Sequence, residues 1–173
     1  ASPEILSTTP AVTCTPGPVS LSLSATSSAG TTINWYENPT GGTSVGTGSP
    51  FNTPLISSTT TYYVEATLGT CNSTRTPVTA TINVTPSITS TSPSQVCDSG
   101  TVTLGATANA GTLNWYSSAS GGSVLGSGNS FTTPSISTTT TFYVEAVNGS
   151  CTSIRVPVVA TVNTTPTITS TTD

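Results

Sequence analysis

The sequence predicts an all-β chain: two tandem β-sandwich domains with one disulfide each. Three observations predict it. The run Thr-Thr-Thr-Tyr-Tyr-Val-Glu-Ala at 59–66 returns as Thr-Thr-Thr-Phe-Tyr-Val-Glu-Ala at 139–146, so the chain is built from one unit used twice. Apolar and polar residues alternate in Val19-Ser20-Leu21-Ser22-Leu23-Ser24-Ala25 and in Val102-Thr103-Leu104-Gly105-Ala106, the period of strands with one face in a core. Gly and Pro punctuate the chain so regularly that each unit divides into roughly seven short strands, with no helical period.

The elements follow in order. Pro3-Glu4-Ile5 opens the first copy and Pro86-Ser87-Ile88 the second, and both lead through Ser/Thr-rich stretches to Cys14 and Cys97. After the alternating strands come Ile33-Asn34-Trp35-Tyr36 and Leu113-Asn114-Trp115-Tyr116, which place Trp35 and Trp115 on a core face. Gly41-Gly42 and Gly121-Gly122 supply turns that need a permissive backbone. Thr53-Pro54 and Thr133-Pro134 interrupt central pairing, because Pro has no amide donor. In the aromatic strands the first ring is Tyr62 in one copy and Phe142 in the other. A phenol gives way to a bare ring most easily inside, which turns Tyr62, Val64 and Ala66 inward with Phe142, Val144 and Ala146. Tyr63, Glu65, Tyr143 and Glu145 then face outward. The last strands hold Pro77 and Pro157, which suits an edge or a bulge near the strand start. The domains are read as 1–85 and 86–165, with 166–173 as the start of a third copy, since Pro166-Thr167-Ile168 repeats Pro86-Ser87-Ile88. A short joint containing Pro is expected to set the two end to end. A Trp on the third strand facing the core is the pattern of Ig-like sandwiches.

Composition narrows the function. Charged residues make up 5% of the 173, while Ser and Thr fill roughly two-fifths of positions, against a usual charged share of about 25%. Both cations are arginines and there is no His, so nucleic-acid binding, which needs clustered Lys or Arg, is excluded. No apolar run reaches the length of a membrane span and no signal peptide opens the chain; it is read as a processed or internal piece of a longer protein. The four cysteines form no Cys-x-x-Cys pair, which argues against structural zinc. They are expected to pair once per repeat, Cys14 with Cys71 and Cys97 with Cys151, stapling one end of each sandwich in an oxidising compartment; four buried free thiols are the alternative. A domain of this size buries only about 60% of its unfolded surface, so a cross-link is a natural supplement.

Taken together, Trp-Tyr, Gly-Gly, Phe-x-Thr-Pro, Thr-Thr-Thr-(Tyr/Phe)-Tyr-Val-Glu-Ala, Cys and Arg-x-Pro-Val resemble the Ig-like repeats of large Bacteroidetes cell-surface proteins, along nearly the whole of both copies. Such repeats occur in the SprB-type gliding-motility adhesin and in related exported proteins. The resemblance implies an Ig-like sandwich and export to the outer surface by a type IX system. It carries over no binding residue.

Catalytic parts are scarce: without His or Lys, triads and Schiff bases cannot be assembled. Glu65 and Glu145 stand one per repeat, not as a glycosidase pair. No metal or cofactor is expected. Arg75 and Arg155 sit at equivalent positions, as do Glu65 and Glu145, and are expected to form surface ion pairs stacked over Tyr63 or Tyr143. Tyr36, Tyr63, Tyr116 and Tyr143 are candidate ligand-facing aromatics; Trp35, Trp115, Val64 and Val144 are assigned to the core. The expected function is a non-catalytic stalk or spacer of an exported bacterial surface adhesin, with a part in gliding motility, whose partners are neighbouring repeats and, as a candidate, surface polysaccharide. Two rivals are a distributed weak carbohydrate-binding module and the spacer repeats of a secreted enzyme.

Overall fold

The computed structural model describes residues 2–169. Residues 170–173, part of the expected third copy, lie outside the described residues. The chain divides into two compact units, Ala1–Val84 and Thr85–Asp173. All regular structure among the described residues is β.

Unit 1 holds nine strands: β1 (Ile5–Thr9), β2 (Ala11–Thr13), β3 (Ser22–Ser27), β4 (Thr32–Tyr36), β5 (Gly46–Thr47), β6 (Phe51–Asn52), β7 (Thr60–Leu68), β8 (Cys71–Asn72) and β9 (Thr76–Ile82). They form a three-stranded sheet in the order β1-β3-β6 and a larger sheet in the order β2-β9-β7-β4-β5, with β8 paired to the end of β7. Unit 2 repeats the scheme with β10 (Ile88–Ser92), β11 (Ser94–Cys97), β12 (Thr103–Ala108), β13 (Thr112–Tyr116), β14 (Gly126–Ser127), β15 (Ser130–Thr132), β16 (Thr140–Asn148), β17 (Cys151–Thr152) and β18 (Val156–Asn163).

The first strand of each unit changes sheets. Pro10 separates β1, antiparallel to β3, from β2, which runs parallel to β9. Pro93 does the same between β10 and β11. A residue without an amide donor cannot continue the first ladder, and the chain is released to the other sheet. Pro77 lies opposite Tyr63, while β2 pairs only with Ala80–Ile82 of β9, so the proline occupies the stretch of β9 that β2 leaves open.

Both cores sit between the two sheets. Leu23, Trp35, Tyr62, Val64 and Ala66 are buried in unit 1, with Leu104, Leu113, Trp115, Phe142, Val144 and Ala146 in unit 2. The indole of Trp35 stacks on Phe51 at 5.1 Å between ring centroids, and Phe51 meets Tyr62 edge-on at 5.4 Å. Trp115, Phe131 and Phe142 repeat this at 5.4 Å and 5.4 Å. Each indole N–H donates to a loop carbonyl, Trp35 to Gly48 at 2.8 Å and Trp115 to Gly128 at 2.9 Å, so a buried donor is satisfied. The Phe51 ring lies where a Cβ on Gly46 would be, 2.5 Å away, which is why the strand after the Gly-Gly turn carries no side chain there.

The expected disulfides are corrected. Cys71 and Cys97 are free, exposed thiols, whereas Cys14 and Cys151 are disulfide-bonded. Neither Cys14–Cys71 nor Cys97–Cys151 exists, and the alternative of four buried free thiols fails as well. The reason is topological. Thr13 pairs with Ile82, and Ala80 pairs with Thr60 at the start of β7, so Cys14 lies past the beginning of that strand. Cys71 pairs with Leu68 at its end. At ~3.3 Å per residue the nine-residue β7 holds the two at least about 26 Å apart, against a disulfide reach between Cα atoms of about 4–7 Å. Cys97, opposite Asn163, and Cys151, opposite Asn148, are separated in the same way along β16.

Candidate functional site

The chain's two cations organise the same small constellation twice, on the outer face of the larger sheet. β-pairing aligns Asn34 with Glu65 and Tyr36 with Tyr63, so Glu65 and Tyr36 are diagonal neighbours on adjacent strands. Arg75 immediately precedes β9, whose Thr76 pairs with Val64; its side chain therefore starts level with Glu65 and crosses β7 toward β4. There its Nε donates to Glu65 Oε2 at 3.1 Å, and its Cζ stands 3.4 Å from the centroid of the Tyr36 ring. The Tyr36 hydroxyl donates to Glu65 Oε1 at 3.3 Å. The remaining reach of the guanidinium goes to the loop after β4, where Nη1 donates to the carbonyls of Asn38 and Gly41, each at 2.7 Å. That loop closes through Gly41 and Gly42, at φ 66° and 74°, values that disfavour any residue with a Cβ.

Unit 2 copies the arrangement. Arg155 Nε donates to Glu145 Oε2 at 3.1 Å, its Cζ lies 3.4 Å from the Tyr116 centroid, and Nη1 donates to Ser118 and Gly121 carbonyls at 2.8 and 2.7 Å. The Tyr116 hydroxyl donates to Glu145 Oε1 at 2.9 Å. Burial is the largest cause of a raised Tyr116 pKa, with the hydrogen bond to the Glu145 carboxylate adding to it.

The pairing of arginine and glutamate takes the form described from the sequence, but the stacking partner is corrected. Arg75 covers Tyr36 and Arg155 covers Tyr116; Tyr63 and Tyr143 are the neighbours across the ladder instead. Two strands of offset separate the arginine from the ring it covers, and only a side chain as long as Arg spans it. The pair is also not a surface pair: Glu65 is 8% exposed. As candidate ligand-facing aromatics the four tyrosines differ. Tyr116 is buried, Tyr36 has one face under a guanidinium, and Tyr63 and Tyr143 are half-buried. A shallow depression of about 550 Å³ beside the unit 1 clamp is lined by Thr40, Glu65, Asn72 and Arg75, among others, with both charges already engaged.

A site that sequence reasoning missed is Asp98. Its carboxylate accepts from the Thr165 hydroxyl at 2.5 Å, the larger cause of its lowered pKa, and from the Thr165 amide at 2.9 Å, which lowers it further. It adopts φ 61°, a conformation in which Asp is among the better-tolerated side chains. Among the described residues no group of three or more His, Cys, Asp or Glu is placed to hold a metal ion, and no helix is long and apolar enough to cross a membrane.

The fold is similar to that of solved Ig-domain proteins. Sidekick-1 immunoglobulin domains 1–4 match at TM-score 0.55 and 18% identity, over 94% of this chain and 49% of that one, so this chain spans about half the length of that fragment. A marsupial T cell receptor matches at TM-score 0.55 and 12% identity, over 96% of this chain and 75% of that one. At such identities the likeness concerns the fold alone. No curated protein matches the sequence. The family model described as "Ig-like domain CHU_C associated" matches twice, over residues 1–83 and 84–166, and covers nearly the whole chain. The chain belongs to this CHU_C-associated Ig-like domain family, as two tandem copies.

Proposed function

We propose that this tandem is a non-catalytic spacer from the stalk of an exported bacterial surface adhesin, in which each repeat adds length between the cell and an adhesive surface. The observation that supports it best is that each repeat turns its single cation, a carboxylate and a tyrosine onto one another and onto its own loop. Groups of that kind would recognise a ligand if they were free to engage it; here they engage one another and lock a turn. The Ser/Thr-rich surface wets the domain without strong charge, which suits a module placed many times in one chain. The reading extends to the outer cell surface as location, to neighbouring repeats as partners, and to gliding motility as the setting in which such a stalk would move.

The rival reading gives each repeat a weak sugar site, with avidity from copy number. A glycan and surface-polysaccharide binding screen separates the two. The spacer reading expects no signal that depends on Tyr63 and Tyr143. Binding that is lost in the Tyr63→Ala, Tyr143→Ala double variant overturns it in favour of a distributed adhesive.

A further inference from the structure

The four cysteines occupy two kinds of position, and each kind is bonded in one repeat and free in the other. The first cysteine of a repeat lies at its downstream end. Cys14 follows β2, which runs parallel to the β9 strand that leads out of unit 1, and Asn83 donates its amide to the Thr13 carbonyl at 3.0 Å. Cys97 is its equivalent, opposite Asn163 where β18 leaves unit 2. The second cysteine lies at the upstream end. Ile5 pairs with Ser27 and Thr32 with Thr67, which brings the start of unit 1 to the end of β7, where Cys71 pairs with Leu68. Cys151 holds the same place in unit 2, opposite Asn148. Cys14 and Cys151 are disulfide-bonded, while their equivalents Cys97 and Cys71 are free and exposed. A downstream-type and an upstream-type cysteine thus both take part in disulfides in this fold, although no repeat can join its own two.

We propose that Cys97 and Cys71 are complementary cross-linking sites: the downstream thiol of one repeat of this kind bonds the upstream thiol of a following repeat, so that an array is stapled repeat to repeat. Asp98 supports this from the neighbouring position. By holding the Thr165 amide and hydroxyl, its carboxylate fixes the departing chain beside Cys97, where a following repeat would begin. The chemistry is thiol–disulfide exchange with an oxidised small thiol. The Cys97 thiolate attacks one sulfur of the small disulfide, and one small thiol leaves. The Cys71 thiolate of the other repeat then attacks the mixed disulfide, the second small thiol leaves, and the two cysteines are oxidised as the small disulfide is reduced. The site is independent of what the array carries.

The test uses second copies of the intact chain as the following repeat. Cys71→Ser and Cys97→Ser proteins, each checked for an unchanged thermal transition, are mixed in equal amounts with oxidised glutathione and resolved without reduction. The proposal expects a dimer joined through Cys97 of one chain and Cys71 of the other, confirmed by the cross-linked peptide, at about twentyfold the level of either like-with-like dimer, which is about tenfold over the statistical twofold and a preference of about 1.4 kcal/mol. The unsubstituted chain is expected to give a ladder of longer linear products. Dimers in statistical proportion, a predominance of Cys97–Cys97 or Cys71–Cys71 links, or chains that stay monomeric with both thiols capped by glutathione would each overturn it.

Discussion

Arg75 lies over the ring of Tyr36 with its Cζ 3.4 Å from the ring centroid, while the Glu65 carboxylate accepts from both residues. Three strands of the larger sheet and the Gly-Gly loop therefore meet at one guanidinium. Arg75→Ala leaves a nearly buried carboxylate without its cation and frees two loop carbonyls, and is expected to lower the stability of unit 1 by about 2 kcal/mol. Arg75→Lys is expected to recover less than half, because an ammonium cannot stack flat on the ring while serving the carboxylate and the loop together. Urea unfolding of the two variants, followed by tryptophan fluorescence, checks both statements.

Gly30 and Gly111 occupy equivalent turns at φ 80°, yet their surroundings differ. A Cβ on Gly30 meets open space, whereas one on Gly111 runs into the Val147 carbonyl. Gly30→Ala is expected to cost about 1 kcal/mol for the left-handed backbone alone. Gly111→Ala adds a backbone clash and is expected to cost at least about 2 kcal/mol more. Separate thermal melts of the two variants measure the difference; equal losses would contradict the packing described here.

Tyr116 has a raised pKa through burial and its bond to Glu145, and Tyr62 through burial and the Glu37 charge. For a phenol a raised folded pKa means that the fold favours the neutral form. The associated stability is complete below the ordinary value of about 10 and is lost as pH climbs through the raised folded value. Ultraviolet titration of phenolate absorbance is expected to show a late component that shrinks in Tyr116→Phe and again in Tyr62→Phe. An unchanged late component in both variants would contradict the assignment.

Much of this structure was legible in the sequence because it rests on period and duplication. Alternation placed Trp35, Val64 and their equivalents in the core, and the Tyr62/Phe142 exchange sorted the faces of β7 and β16. The cysteine pairing was not legible from the regular spacing of cysteines in each copy. It depends on which end of the sandwich each cysteine reaches, and that depends on strand direction. Between Cys14 and Cys71 the chain traverses the sandwich along β3, β4, β5, β6 and β7, each reversing the last, and an odd number of passes ends opposite where it began. Counting passes was the signal that could have found it. The stacking of arginine on Tyr36 rather than Tyr63 was hidden for a related reason. Sequence gives the face a residue occupies, but not how many strands a long side chain will cross.

The most direct test of this account is the state of the four thiols in the native protein. Alkylation without reduction, followed by peptide mapping, is expected to label Cys71 and Cys97 and to spare Cys14 and Cys151 until a reductant is added, with an intact monomer mass, before alkylation, two hydrogens below the fully reduced value. Recovery of a Cys14–Cys71 or Cys97–Cys151 cross-linked peptide would contradict the strand topology itself, and with it the arrangement of both repeats.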